Sequence, residues 1–508
     1  MTIIDYRALA LLHLQCGSIL LGAAALLLEE ESVSPSFDND MVDEMINVAI
    51  VDMGYDYRDG RKRRIRGRNE DGTPMKKRMI KYDRERAYRC IMEDYLDQDA
   101  KFNDRQFERH FRITKGLFEF TLQELVKDDP LFWLQRKDCC GRMSNAPETK
   151  LLAALRLVSY GVSWSAFQSY FQMGESTARL CLSKTTRGIY NNQTIRGKYL
   201  RSMSKSDAVR VERMHFEKHG IRGMLGSLDV MQIPWANCPQ AQRGQHVGKG
   251  SIPTLGLEAV ADNARWFWHH DFGHPGSLND INIWDKSQLA QSMVDGTHAK
   301  LDFKFKLNDE FFAMLYYLVD GIYPELARFV KTIPVPVTDM EKFFVLWQEA
   351  KRKDIECAFG ILQKKFNFLC IPVKSFFVDD IYYIVKACIA LHNMMVEFRL
   401  NSDEQESGDF YDVVPSQDDA DEPASVDEAI EAINREDEFF AQNQDKLDLN
   451  GEVVDVELLE KYKRAQLLGN KTRIVEKRWQ NLTDTKTHHE LRNAIIHDIH
   501  RNKRHHDH

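Results

Sequence analysis

The sequence predicts an α/β domain that follows an all-helical domain. Apolar residues recur at helical spacing from residue 84 to about residue 190, and after Gly223 the pattern changes to the short apolar runs of β-strands. No lysine or arginine occurs between Arg399 and Arg435, where acidic residues dominate, so the folded part is expected to end near residue 400. The predicted segments are 1–83, 84–215, 216–400, 401–450 and 451–508.

The composition is that of a folded protein without a disulfide framework or a zinc ribbon. With 508 residues, of which 43% are hydrophobic, the chain can fill a sizeable core. Its nine cysteines include no Cys-x-x-Cys pair, which favours a reducing compartment. The net charge of -8 is unusual for a protein that binds nucleic acid, but acidic residues are concentrated in segment 401–450, so the remainder is much less acidic.

The first 83 residues combine an apolar stretch and a basic cluster. Residues 8–28 are rich in alanine and leucine, but His13 interrupts them and Glu29 follows directly. A buried or partner-facing helix is therefore favoured over a signal peptide or membrane span, and no other segment is expected to cross a bilayer. The cluster from Arg61 to Arg68 could be a nuclear-import signal or a phosphate-contacting arm; the alternative is a solvated charge run.

Helical spacing continues through the second segment. Asn103 and Asp104 are predicted to form a turn and a helix cap. Short glycine-containing turns, at Gly161 and Gly174, separate the helices that follow, which is typical of a helix-turn-helix. The predicted helical stretches are 84–126, Lys150–Tyr160, Trp164–Phe171 and Ser176–Tyr190.

The helix Ser176–Tyr190 would then enter a DNA groove. Arg179, Lys184 and Arg187 would be available to phosphates or base edges. The alternative is a helical bundle that only packs on the next domain, and the sequence does not decide between the two.

The third segment has the element order of a ribonuclease-H-like fold: three strands, a helix, a strand and a final helix. Gly276-Ser277 marks the start of the first helix, and Asp320-Gly321 marks the end of the fourth strand. The predicted strands are Met224–Ile233, Ser251–Ala261, Arg265–Phe272 and Phe311–Val319, and the predicted helices are Asn279–Gln291 and Glu341–Phe366.

The last two segments differ in composition. Segment 401–450 is acidic and poor in aromatic residues, so we expect a disordered linker. Helical periodicity returns from Val453 to His500, and the chain ends in a tail rich in histidine and basic residues. These histidines could bind a metal ion, but they show no paired spacing on a fixed scaffold, and the sequence does not favour such a site.

Four acidic residues stand where a nuclease of this element order would hold metal ions. Asp229 lies within an apolar strand, where an unpaired carboxylate is costly. Asp280 starts the helix after the third strand, Asp320 ends the fourth strand, and Glu356 lies on the last helix. Mg²⁺ prefers oxygen ligands, and two-metal phosphodiester chemistry needs carboxylates that converge from different elements. Each acid alone could instead be a cap or turn residue, and Glu356 could pair with Lys353.

The strand order makes three of these acids the expected catalytic set. On a ribonuclease-H-like sheet the ends of the first and fourth strands are adjacent, so Asp229 and Asp320 are expected to meet, with the last helix laying Glu356 against them. Asp280 is then a fourth metal ligand, although the minimal triad stays open. His392 and Asn393 stand beside apolar neighbours on a helix, which is typical of a core hydrogen bond rather than of catalysis.

Six motifs carry a family resemblance: GMLGSLD (Gly223–Asp229), WANCP (Trp235–Pro239), LEAVA (Leu257–Ala261), PGSLNDIN (Pro275–Asn282), ECAFGIL (Glu356–Leu362) and LHNM (Leu391–Met394). The chain resembles the plant-transposon branch of the PIF/Harbinger transposases over roughly residues 85 to 400. The resemblance implies a ribonuclease-H-like DDE nuclease that acts in the nucleus, with the four acids as metal ligands and a separate Myb-like partner protein. Cys357 departs from the pattern, since a basic residue commonly follows the glutamate.

The sequence therefore predicts a transposase-type DNA endonuclease that uses Mg²⁺ or Mn²⁺, with two ions expected. It would hydrolyse phosphodiesters at transposon ends and join the 3′-hydroxyl to target DNA. Arg243, Lys249, Lys364 and Lys365 are candidate contacts to the DNA backbone. The alternatives are a domesticated, catalytically silent DNA-binding or scaffolding protein on the same fold and an RNA-directed nuclease. The presence of all four acids favours activity, and a homo-oligomer is left open.

Overall fold

The computed structural model describes residues 80–137, 141–248, 250–403 and 477–501. The predicted N-terminal helix, the basic cluster at Arg61–Arg68, nearly all of the predicted acidic linker and the terminal histidines from His505 onwards lie outside these residues.

Helices build the described chain up to residue 219, and local signals set their ends. Asn103 and Gln106 form a reciprocal capping box, so the predicted cap at Asn103 is confirmed. Gly161 and Gly220 end two other helices in the left-handed conformation. The helices are α1 (Arg84–Ile91, continued by a π-helical turn, Met92–Leu96), α2 (Asp104–Phe111), α3 (Lys115–Asp128), α4 (Pro130–Trp133), α5 (Pro147–Tyr160), α6 (Gln168–Phe171), α7 (Glu175–Asn191), α8 (Gln193–Tyr199) and α9 (Lys205–His219).

The strands that follow are β1 (Met224–Pro234), β2 (Thr254–Ala261), β3 (Phe267–Pro275), β4 (Phe305–Leu307), β5 (Glu310–Phe312), β6 (Tyr316–Leu318) and β7 (Phe329–Val330). Five of them form a central sheet in the order β3-β2-β1-β6-β7. β1, β2 and β3 pair antiparallel, β6 runs parallel to β1, and β7 runs parallel to β6. β4 and β5 form a separate hairpin.

The remaining helices are α10 (Arg243–His246), α11 (Asp280–Trp284), α12 (Gln288–Asp295), α13 (Asp339–Lys365), α14 (Val378–Asp403) and α15 (Thr485–Arg501). Two predicted elements are divided. The predicted helix Asn279–Gln291 is interrupted at Ser287, whose hydroxyl accepts from the Ala290 N–H and starts α12. The predicted strand Phe311–Val319 is wrong as one element, because β5 pairs with β4 whereas β6 joins β1.

Helices cover both faces of the central sheet. On one face, Ile233 of β1 shares a buried cluster with Ile355 and Ala358 of α13. On the other face, Leu228 of β1 shares a second cluster with Trp284 of α11. Alternate residues of β1 therefore serve two cores, as expected for a strand with both sides buried.

The helical part shares its core with the sheet. Phe107 and Leu151 belong to the same buried cluster as Ile233. The predicted boundary at 215/216 falls inside α9, since the helical capping box at Ser204 and the glycine after His219 define one continuous helix. The predicted linker also starts too early, because α14 continues through residue 403.

One described helix is long and apolar enough to cross a membrane, which the sequence reading did not anticipate. It spans Val378–Leu400 within α14, and 78% of its apolar window is buried inside the protein. α14 packs against α7, α8 and β3. Its hydrophobicity is therefore that of a core helix.

Buried polar groups join α14 to the edge strand β3. The Asn393 Nδ2 donates to the Phe267 and Tyr199 carbonyls at 3.0 and 2.9 Å, and its Oδ1 accepts from the Phe267 N–H at 3.0 Å. The His392 Nε2 bonds the Arg265 carbonyl at 2.8 Å. Both side chains are fully buried, and the expected core hydrogen bonds of this pair are confirmed.

Replacing Asn393 with leucine should lower the free energy of unfolding by about 3 kcal/mol or more. The change leaves three buried backbone groups without partners, and each such group costs about 1–3 kcal/mol. Urea denaturation followed by circular dichroism measures the difference. As a control, Asn493→Ala at an exposed position of α15 should change stability by less than about 0.5 kcal/mol. Equal stability of the two variants would contradict the structural role of Asn393.

Candidate active site

Asp229 lies on β1, where the strand still pairs with β2 but has passed its last pairing with β6 at Ser227. Its side chain is 21% exposed, and its Oδ1 accepts from the Val230 N–H at 2.9 Å. Its pairing partner on β2 is Ala259, an apolar residue that offers the carboxylate no hydrogen bond. The neighbouring strand β2 therefore offers this largely buried carboxylate no side-chain hydrogen bond at the paired position.

Asp320 lies at the same end of the sheet as Asp229. The parallel register pairs Ser227 of β1 with Leu318, the last residue of β6. Asp229 stands two residues further along β1, and Asp320 stands two residues beyond the end of β6. Adjacent strands lie about 4.8 Å apart, so the register brings the two acids side by side. Asp320 is exposed, and its Oδ1 accepts from the Gly321 N–H at 2.6 Å.

Glu356 reaches the same place from α13 through an arginine that the sequence reading missed. The Arg352 guanidinium lies 2.8 Å from the Glu356 Oε1 and 3.7 Å from the Asp229 Oδ2. Arg352 precedes Glu356 by four residues, so one helix face presents both side chains. That spacing is visible in the sequence and was the available signal. α13 therefore supplies one acid and the counter-charge between two acids.

Asp280, the first residue of α11, acts on this site through its charge. Burial raises the pKa of Asp229 to about 6, and the charges of Asp280 and Glu356 act in the same direction. The Val230 N–H and the Arg352 guanidinium oppose this rise without cancelling it. Burial is therefore the main reason that the Asp229 pKa is raised, and the neighbouring acids add to it.

Tyr323 belongs to the loop between β6 and β7 and lies near the same acids. Its side chain is fully buried, and its hydroxyl has no hydrogen-bond partner among the described residues. Burial raises the Tyr323 pKa, and the charges of Glu258, Asp280, Asp229 and Asp320 raise it further. The sequence reading missed this residue, although it follows Asp320-Gly321 directly in the motif DGIY.

Glu258 of β2 is a second buried carboxylate that the sequence reading did not assign. It is fully buried, and its Oε2 lies 3.0 Å from the His269 Nε2 on β3. Its Oε1 has no hydrogen-bond partner among the described residues. The pair is a cross-strand contact that only the register of β2 and β3 creates.

The candidate ligands suit a hard divalent cation by their chemical type, but their oxygens are not yet gathered around one point. All the candidate ligands are carboxylate oxygens, which Mg²⁺ and Mn²⁺ prefer. Within the described ranges, no three of these acids bring their oxygens within 4.8 Å of one another. Arg352 instead supplies positive charge between Asp229 and Glu356. The oxygens of these residues therefore suit a divalent cation by their chemistry, and binding one would require the carboxylates to rearrange around it.

Of the six basic residues singled out for DNA contact that the structure describes, four are paired or covered. On α7, Arg179, Lys184 and Arg187 each contact an acid, at 2.8, 2.9 and 3.0 Å. Burial lowers the pKa of Lys365 to about 7, which makes it a poor phosphate contact. Exposed positions remain at Arg243 and Lys364, and Lys249 lies outside the described residues.

α7 is also covered on its apolar side. It packs against α5 and α14, and its buried side chains include Ala178 and Cys181. These are the contacts expected if α7 belongs to a helical bundle that packs on the next domain. The paired basic side chains remain the accessible part of the helix.

Residues 197–404 match the family described as plant transposon protein. The matched range contains the whole central sheet, the four acids and Arg352. A search of curated proteins and a search of solved structures found no match. The family match indicates a transposon-related protein.

Replacing Asp229 with asparagine should change the pH dependence of stability. In the folded protein the Asp229 pKa is about 6, above the ordinary value of ~3.9, so folding favours the protonated carboxyl. The wild type therefore keeps this contribution to stability below about pH 4 and loses it as the pH rises through 6. The asparagine does not titrate, so without metal the variant should gain up to about 3 kcal/mol over the wild type between about pH 4 and pH 7. Urea denaturation in EDTA measures this gain. Asp309→Asn, at a side chain 85% exposed, should follow the wild-type profile, and a parallel profile for Asp229→Asn would contradict the raised pKa.

Proposed function

We propose that this transposon-related chain is a metal-dependent DNA endonuclease, a transposase of the PIF/Harbinger type with a ribonuclease-H-like nuclease domain. One observation carries the proposal: the buried Asp229 shares its end of the sheet with Asp320 and shares the Arg352 guanidinium with Glu356. The sheet order β3-β2-β1-β6-β7, with three antiparallel strands followed by two parallel ones, supports the proposed fold. DNA at transposon ends and target DNA are the proposed substrates.

Asp229, Asp320 and Glu356, with Asp280 as a fourth ligand, would hold Mg²⁺ or Mn²⁺. Bound there, two such ions would lower the pKa of the attacking water and stabilise the leaving 3′ oxygen. The raised pKa of Asp229 means that this carboxylate gains its charge near neutral pH, so metal binding and its deprotonation are coupled.

Arg352 has two successive tasks in this proposal. Without metal its guanidinium offsets the charges of Asp229 and Glu356. When the carboxylates turn to the metal, the guanidinium is released within reach of the site, where its planar donors suit a phosphate oxygen. The same side chain would then contribute to binding the DNA backbone beside the scissile bond.

Tyr323 would position the carboxylates. Its buried hydroxyl has no partner among the described residues, and charged Asp280, Asp229 and Asp320 all act on it. A small movement would let this O–H donate to one of the acids and orient it toward the metal.

DNA affinity would come from basic side chains outside the acidic centre. Arg243 and Lys364 are exposed, and the cluster Arg61–Arg68 adds further positive charge to the chain. The proposal also includes nuclear action, a Myb-like partner protein and a homo-oligomer.

Asp229→Asn, Asp320→Asn and Glu356→Gln should each reduce strand cleavage by more than about 100-fold, since losing even an outer-shell partner costs a metal site about 10–100-fold. The assay uses DNA that carries the repeats flanking the gene, with Mg²⁺ or Mn²⁺. Fluorescence anisotropy should show DNA affinity close to that of the wild type, because phosphate contacts lie elsewhere.

The matched control is Glu349→Gln, an exposed carboxylate two turns before Glu356 on α13, which should cleave at the wild-type rate. Wild-type cleavage by Asp229→Asn would remove that residue from the mechanism. DNA binding by the wild type without cleavage in either metal would overturn the nuclease proposal in favour of the silent DNA-binding protein.

Mg²⁺ should stabilise the wild type more above pH 6 than below it. The ligand Asp229 must be deprotonated to bind, and its pKa is raised to about 6. Thermal denaturation with and without Mg²⁺ at both pH values measures the effect. Asp229→Asn should show little Mg²⁺ stabilisation at either pH, and an equal effect of Mg²⁺ on both proteins would argue against a site at Asp229.

A further inference from the structure

Three side chains from distant parts of the chain meet where α15 packs against the loop between β6 and β7. Glu325 belongs to that loop, and His488 and His489 belong to the first turns of α15. One possible ligand atom from each residue lies within 4.8 Å of the other two. None of the three residues is one of the four acids of the proposed nuclease site.

His488 has the tautomer that a metal ligand needs. Its side chain is 1% exposed, and its Nδ1 lies 3.1 Å from the Leu326 carbonyl oxygen. A carbonyl can only accept, so Nδ1 carries the proton and donates it, which leaves the Nε2 lone pair unprotonated. That Nε2 is buried without a hydrogen-bond partner among the described residues. A histidine whose other nitrogen donates to a backbone carbonyl is the usual arrangement around bound zinc.

The other two ligands are more accessible. The His489 Nε2 lies 3.6 Å from the Glu325 Oε2, and the two side chains are 45% and 41% exposed. That separation is too long for a good hydrogen bond but close to the spacing of two ligands that each lie about 2.1 Å from one zinc ion.

Arg492 is the group that opposes a cation here. Its Nη2 lies 2.9 Å from the His489 Nδ1, and a guanidinium can only donate, so His489 presently carries its proton on Nε2. Zinc binding through Nε2 requires the neutral ring to carry its proton on Nδ1 instead, so the guanidinium must turn away. Arg492 therefore weakens the site without blocking it.

We propose that Glu325, His488 and His489 form a zinc-binding site, with water in the remaining position of a tetrahedron. Two imidazole nitrogens and one carboxylate oxygen suit Zn²⁺ and not Mg²⁺, which prefers oxygen ligands alone. The site shares no residue with the proposed nuclease centre.

Bound zinc would attach α15 to the loop that carries part of the candidate active site. That loop begins at Asp320 and contains Tyr323 and Glu325. α15 is held by its apolar face, where Leu491 and Ile495 are buried, and zinc would add a bond at its N-terminal end. The expected role is to hold the loop in place.

The test is isothermal titration of the full chain with ZnCl₂ in a background where His505, His506 and His508 are replaced by glutamine, so that the terminal histidines contribute nothing. Wild-type residues at the site should bind one Zn²⁺ more tightly than Mg²⁺. Co²⁺ in place of zinc should give the visible absorption bands of a tetrahedral ion with nitrogen ligands.

In the same background, Glu325→Gln and His489→Gln should each weaken zinc binding by more than about tenfold, since lost ligands cost at least as much as lost outer-shell partners. Both residues are partly exposed, and circular dichroism should show unchanged folding. His497→Gln, an exposed histidine two turns further along α15, should bind as before, and Arg492→Gln should bind more tightly because a competing cation is gone. Zinc affinity that none of the Glu325, His489 and Arg492 variants changes would overturn the proposal.

Discussion

The hydrogen bonds of Asn393 join three parts of the chain, and the placement of the acidic site depends on that junction. An edge strand leaves N–H and C=O groups unpaired on its free side, and on β3 the Asn393 amide satisfies both groups of Phe267. The same amide reaches Tyr199 at the end of α8. α14 therefore closes the sheet against the helical part, so the two predicted segments share one core.

Where the sheet carries Asp229, the balance between the neighbouring acids and Arg352 sets the properties of the site. Asp229 is largely buried beside Arg352, and its pKa stays raised because burial, helped by the charges of Asp280 and Glu356, outweighs the guanidinium. Such a cluster attracts divalent cations and repels DNA phosphates until it is neutralised. Metal and DNA binding at this place would therefore favour each other, as a nuclease that cuts only in the loaded state requires.

The C-terminal helix α15 contacts the loop after Asp320, although the two lie more than 150 residues apart in the sequence. α15 packs against α13 and β7, and His488 bonds the backbone of the loop that follows Asp320. The loop is thus bounded by the acidic site at one end and by α15 at the other. Anything that stabilises the contact with α15 restricts the backbone next to Asp320.

The sequence by itself determined the features that depend on near neighbours in the chain. These include the cap at Asn103, the positions of the first three strands of the sheet and the buried role of Asn393. Only the tertiary structure decided which side chains neutralise one another. Arg187 on the predicted groove helix contacts Asp380, 193 residues away, and the Leu326 carbonyl fixes the tautomer of His488. Periodicity and caps report contacts within a few residues, whereas ion pairs and buried imidazoles depend on strand register and helix packing, which no local pattern encodes.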